Sequence, residues 1–215
     1  MKLKNLLLET PEFLDEIDVS KTYGNSVYNL KEYKRWSTKS SIKKIIKEID
    51  SGISLVEIKK EDGFDVIFAA LDNVEKKVCY VSKCKIETDE NVDKYVYQSL
   101  VWVDTLYRAR VGELASLMVF EQLLPKYKVI ATDRLQTKKG MKYWARLINT
   151  ATLNEDGKYI VYFLDTKKKE LRLVDSFENL QDLQTKHKIW EKSETGMSKI
   201  MIISTKKLKM QLTKD

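Results

Sequence analysis

Apolar and polar positions along the chain switch between two periods, and the switches mark out its elements. Thr10 can cap a short helix over residues 11–18, with Pro11 at its first position. Residues 20–35 carry Tyr23, Tyr28 and Tyr33 without a clean period, which predicts an aromatic loop leading to Trp36. Ile42, Ile45, Ile46 and Ile49 then fall at i, i+3, i+4 and i+7, ahead of Gly52, and this spacing predicts a helix starting at Ser37 or Thr38. Strands are predicted over 53–59, 64–71 and 78–87, the first two joined by a tight turn at Glu61-Asp62-Gly63. Asp89, Glu90, Asn91 and Asp93 form an acidic, solvated turn.

The most ordered stretch runs from Val96 to Ile148 and reads as a β-α-β-α unit. A strand over 96–104 enters the basic turn Arg108-Ala109-Arg110, and a helix is predicted from Val111 to Leu124, with Gly112 in its first turn and charges only at Glu113 and Glu121. A short strand over 128–131 follows. Met141, Trp144, Ala145 and Ile148 then form one apolar stripe on a second helix, where Trp144 is expected to pack in the core. Residues 158–164 and 170–175 predict a hairpin around Asp165, residues 177–190 look partly helical, and 199–204 add a last edge strand before a loosely held basic tail.

Composition narrows the class. With 43% hydrophobic and 33% charged residues in 215, the chain has the make-up of a globular protein with a real core. The longest apolar run, Val66 to Leu71, is too short to cross a bilayer, and Met1-Lys2-Leu3-Lys4 lacks a signal-peptide core. No membrane association and a cytoplasmic location are therefore expected. Cys79, Cys84 and the single His187 fall short of the four ligands of a structural zinc site, so no metal is expected and the thiols read as buried. The net charge of +7 admits nucleic acid as a partner class, but the lysines are spread along the chain in the manner of a solvated surface.

The turn at Arg108 to Gly112 is where an α/β protein holds an anion. The first amides of a helix lack intrahelical partners, its dipole favours negative charge, and two arginines stand beside it. Three motifs sharpen this: Gly112-Glu113-Leu114-Ala115 at the helix start, Thr132-Asp133-Arg134-Leu135-Gln136-Thr137 after the second strand, and Trp144-Ala145-Arg146-Leu147 on the next helix.

Together, over about a quarter of the chain, these motifs resemble the GNAT superfamily of acyl-CoA N-acyltransferases, and in particular its divergent bacteriophage-encoded members. The resemblance implies an α/β (α+β) fold: a mixed, mostly antiparallel central sheet flanked by helices, with two central strands splayed apart. It divides the chain into an N-terminal extension over 1–36, a core over 37–176 and a C-terminal helix, edge strand and basic tail over 177–215.

It also implies acetyl-CoA or another acyl-CoA as cofactor, with Trp102 and Val103 facing pantetheine and Arg108, Arg110, Val111, Gly112, Glu113, Leu114 and Ala115 facing pyrophosphate. The acyl group would pass to an amine. The location would be host cytoplasm, or the virion if the chain is phage-encoded. Two departures bear on catalysis. The family's acidic tyrosine aligns with Trp144, leaving neighbouring Tyr143 as the candidate acid, and no carboxylate stands at Ser99 or Leu100, where a base is often found. A catalytically degenerate scaffold that binds a partner or associates with the virion is the alternative.

Overall fold

The structure, a computed structural model, describes residues 22–38, 43–50, 52–61, 63–89, 92–111, 113–133, 138–154, 156–174, 185–186, 189–190 and 198–209. The short helix expected over 11–18, Gly112 and most of residues 177–190 lie outside them. Among the described residues, helices accompany one nine-stranded sheet with the order β1-β2-β3-β4-β5-β6-β9-β7-β8. Its strands are β1 (Lys43–Asp50), β2 (Ile53–Glu61), β3 (Phe64–Asp72), β4 (Lys77–Asp89), β5 (Asp93–Val103), β6 (Val129–Ala131), β7 (Ile160–Asp165), β8 (Glu170–Leu173) and β9 (Lys199–Ser204). The recorded pairings are antiparallel except for β5 with β6, so the mixed, mostly antiparallel class expected from sequence is the class observed.

The described residues fall into two compact units. One draws on 14–85 and 98–118. Here helix α1 (Ser26–Thr38) occupies what its sequence suggested was a loop. Its start is capped by Asn25, whose Oδ1 accepts from the N–H groups of Val27 at 3.0 Å and Tyr28 at 3.1 Å. The residues it buries are Asn29, Glu32 and Trp36, so two of the three inward positions are polar and an apolar period never appears. Trp36 is fully buried in a cluster with Tyr23, Val56, Ile58, Ile67, Ala69, Leu71, Val78 and Val81. Asn29 fixes the helix to the sheet: its Nδ2 donates to the carbonyls of Tyr23 at 2.8 Å and Val78 at 2.9 Å, and its Oδ1 accepts from Val78 N–H at 2.7 Å.

The isoleucines that predicted a helix lie in and beside β1 instead. Ile45 pairs with Val56, then Ile46 and Ile49 are skipped in the register against β2, each an extra residue at an irregularity of the ladder. Bulges break the strict two-residue alternation of a strand, and the apolar spacing left behind imitates a helix.

The second unit draws on 86–97 and 119–215. Val129, Ala131, Tyr162, Leu164, Ile200 and Ile202 build its core with Val92, Tyr95, Leu171 and Leu208. The strand expected at an edge, β9, is internal: it pairs with β6 on one side and β7 on the other. Ile200, Met201, Ile202 and Ile203 are all buried, as befits a strand covered on both faces. Helix α5 (Lys138–Thr152) turns Trp144, Leu147, Ile148 and Ala151 into the core.

The helical stretch after β5 is compound. A 3-10 turn (Thr105–Tyr107) leads to α2 (Arg108–Val111), then α3 (Leu114–Leu117), a π turn (Met118–Leu123) and α4 (Leu124–Tyr127). It therefore begins six residues before the expected start at Val111, because Asp104 is a competent N-cap: its carboxylate accepts from Leu106 N–H at 2.9 Å.

Candidate functional site

The segment that sequence singled out follows directly from the end of β5. Asp104 N–H bonds to the Cys79 carbonyl at 3.0 Å and closes the ladder with β4. Backbone groups alternate in direction along a strand, so the N–H and C=O of Val103 point to the opposite edge. That edge is where β6 would continue, but the parallel pairing covers only Val96 with Ile130 and Tyr97 with Ala131, and β6 ends there. No strand of the described residues pairs with β5 residues 99–103 on that side.

Beyond Asp104 the chain turns helical at once. The amides that a helix start leaves free are here engaged locally: Leu106 N–H with the Asp104 carboxylate, Tyr107 N–H with the Asp104 carbonyl at 3.0 Å, and Arg108 N–H with the Thr105 carbonyl. The expected cradle of exposed amides ahead of Val111 is thus absent at these three positions, and attraction for an anion falls to side chains. Arg108 is exposed on the first turn of α2. The Arg110 side chain is 41% exposed, with its guanidinium 5.6 Å from the centre of the Tyr107 ring and Nη1 3.9 Å from Asp72 Oδ2.

Asp72 and Tyr107 organise this corner. Asp72 ends β3 and is 3% exposed; its Oδ1 accepts from the N–H groups of Val74 and Glu75, both at 2.9 Å, and its Oδ2 accepts from the Tyr107 hydroxyl at 2.8 Å. Burial alone would raise the carboxyl pKa. The bonds from Glu75 N–H, the Tyr107 hydroxyl and Val74 N–H, with the Arg110 charge, outweigh it and hold the group below the usual carboxylate range. Burial pushes the Tyr107 phenol upward, and donation to the Asp72 anion adds to the shift. Lys77 Nζ lies 4.9 Å from the centre of the Tyr107 ring, so two cations border one aromatic ring. Cys79, close by, donates its thiol to the Ala70 carbonyl at 3.3 Å, and burial followed by the charges of Asp72 and Asp104 pushes its pKa up to about 12.

The remaining candidates are distributed as follows. Trp102 and Val103 are half-buried at the end of β5, with the Trp102 ring stacked on Tyr23 at 5.2 Å. Val111, Leu114 and Ala115 are buried and form the core-facing side of the helical stretch. Glu113 is exposed at the N-cap of α3, without a side-chain capping bond. Tyr143 is half-buried on α5, in the other unit, its ring 5.7 Å from that of Trp144, which is 2% exposed.

Asp72, Lys77 and Tyr107 were not among the residues selected from sequence. Asp72-Asn73 directly after a strand is a turn signature that points to a carboxylate bonded to the backbone, but its tie to a tyrosine 35 residues away leaves no local trace.

An anion therefore fits the corner through Arg108, Arg110 and Lys77, and not through backbone amides at 106–108. Among the described residues, no group of three or more His, Cys, Asp or Glu is placed to hold a metal ion, and no helix is long and apolar enough to cross a membrane. No family model matches the chain, and no curated protein or solved structure matches it significantly.

Proposed function

We propose that this chain is a GNAT-like protein that binds acyl-CoA along the second half of β5 and transfers its acyl group to an amine. The observation that carries this reading is the early end of the only parallel pairing recorded in the sheet. Contact with β6 stops at Tyr97 and Ala131, while β5 runs on to Val103 with an edge that another extended chain can occupy. Pantetheine is such a chain, and its amides suit the groups that Val103 turns outward. The sheet order, with β9 between β6 and β7, supports the same family.

Arg108 and Arg110 supply positive charge for the pyrophosphate, through guanidinium forks suited to phosphate oxygens. Acyl-CoA would bring an activated thioester. Val103 N–H is the group best placed by strand alternation to polarise its carbonyl. Holding two reactants in register supplies about 7–11 kcal/mol of a barrier, so no strong acid or base on the chain is required for some acceleration.

A second reading, a binding scaffold without turnover, is favoured by one pair of observations. No carboxylate stands on β5 between Tyr95 and Val103, and Trp144, where the family places its acid, is buried and has no acidic proton to give. Calorimetric titration with acetyl-CoA tests the shared premise. Micromolar binding, lost in the Arg108→Glu, Gly112→Glu double variant, is the expected result; no heat at millimolar acetyl-CoA would overturn both readings of the site. Release of free thiol in the presence of a panel of amines then separates enzyme from scaffold.

A further inference from the structure

Resting on that reading, we infer that Asp72 is a positioning residue for the anion end of the site, acting through Arg110. A carboxylate beside an arginine that must meet phosphate would at first sight weaken the site by neutralising it. The geometry assigns it another task. Asp72 is held on both sides: Oδ1 by the Val74 and Glu75 amides, Oδ2 by the Tyr107 hydroxyl. It is therefore a fixed point at the corner between β3 and β4, and Tyr107, 6% exposed, is fixed with it.

Arg110 meets this fixed pair twice, through the carboxylate at 3.9 Å and over the phenol ring at 5.6 Å. The first distance is too long for a hydrogen bond, so Asp72 does not saturate the guanidinium. It restrains a long side chain whose free rotamers would otherwise cost about 2 kcal/mol to order when an anion arrives. Lys77, on the same ring at 4.9 Å, adds a second positive group to the corner.

The two roles predict opposite signs. If Asp72 only neutralises Arg110, Asp72→Asn tightens the binding of CoA. If it positions Arg110, the same substitution weakens binding although a negative charge has been removed. We expect a weakening of about tenfold, equal to about 1.4 kcal/mol. A general loss of structure could also weaken binding, so the deciding measurement is a double-mutant cycle on the full chain, with calorimetric Kd values for CoA. Asp72→Asn and Arg110→Gln are each expected to weaken binding, and the double variant is expected to be no weaker than Arg110→Gln alone.

Binding that is unchanged or tighter in Asp72→Asn, or two effects that multiply in the double variant, would overturn the positioning role and leave the acyl-CoA reading standing. Failure of the unaltered chain to bind CoA would remove both. Should Asp72→Asn not fold, Tyr107→Phe takes its place in the cycle: it keeps the ring under Arg110 and removes only the hydroxyl tie. The same non-additivity with Arg110→Gln is expected, and additivity would again overturn the inference.

Discussion

Tyr107 donates its phenolic hydrogen to the Asp72 carboxylate over 2.8 Å, and so ties the first helical turn after β5 to the corner between β3 and β4. Both groups are buried, and the acceptor is charged, which places the bond in the stronger class of about 1.5–3 kcal/mol. Tyr107→Phe leaves the ring in place and removes the donor. Urea denaturation is expected to show a loss in that range with an unchanged m-value; a variant as stable as the parent would mean that the bond contributes nothing net.

The same carboxylate gives the fold an acid-sensitive component. Its folded pKa lies below the ordinary value of 3.8, so its contribution is present above that value and is lost as the pH falls through the folded pKa. The stability gap between the parent and Asp72→Asn is therefore expected to be widest near neutrality and to close below pH 3.8. Denaturation midpoints across the acid range check this, and a gap independent of pH would contradict the assignment.

Asn29 should be among the most sensitive polar positions. Asn29→Ala removes three bonds and leaves the N–H and carbonyl of Val78 without the partners they have in a buried setting. A loss of about 3 kcal/mol is expected, at about 1–3 kcal/mol for each buried group stranded. Hydrogen exchange offers a local readout, since the Val78 amide should lose protection before the amides of β2 do.

Cys79 and Cys84 are both buried free thiols, with pKa values pushed by burial up to about 12. Thiolate is the reactive form, so neither residue should react with a maleimide at pH 8 in the native protein, while both should react in denaturant. Fast native labelling of either would contradict its burial.

The strand pairings of β2 to β3 and β7 to β8 were legible because each strand carries enough apolar residues and each turn the residues that tight turns need. What was hidden had specific physical causes. Ile46 and Ile49 sit at ladder irregularities, so a strand imitated a helix. Helix α1 presents Asn29 and Glu32 inward, so a helix looked like a loop. At the candidate site, Arg108 and Arg110 could be found from their place after a strand. The group that restrains Arg110 could not, because Asp72 reaches it through three-dimensional proximity and not through spacing. Asp104 was the one missed signal present locally: an Asp ahead of Thr105 is a good N-cap, and it moved the helix start.

Lys76 closes the corner that Asp72 opens, with φ at 54°, a left-handed conformation that costs a side-chain-bearing residue about 1 kcal/mol. Lys76→Gly is expected to stabilise the protein by up to about 1 kcal/mol, offset in part by the greater freedom of glycine in the unfolded chain. Thermal unfolding decides the sign, and a clear drop in Tm would show that the lysine side chain contributes more than its backbone costs.

The wide turn over Met118–Leu123 makes the sequence around it intolerant of changes in length. Deleting one residue there would let the stretch wind as an ordinary helix, rotating everything downstream by about 100°. Leu124, now fully buried, would swing off the side it fills, and Pro125 would be carried round with it. Point substitutions in this segment can be absorbed by repacking, whereas a single-codon deletion would scramble which side chains meet the interior.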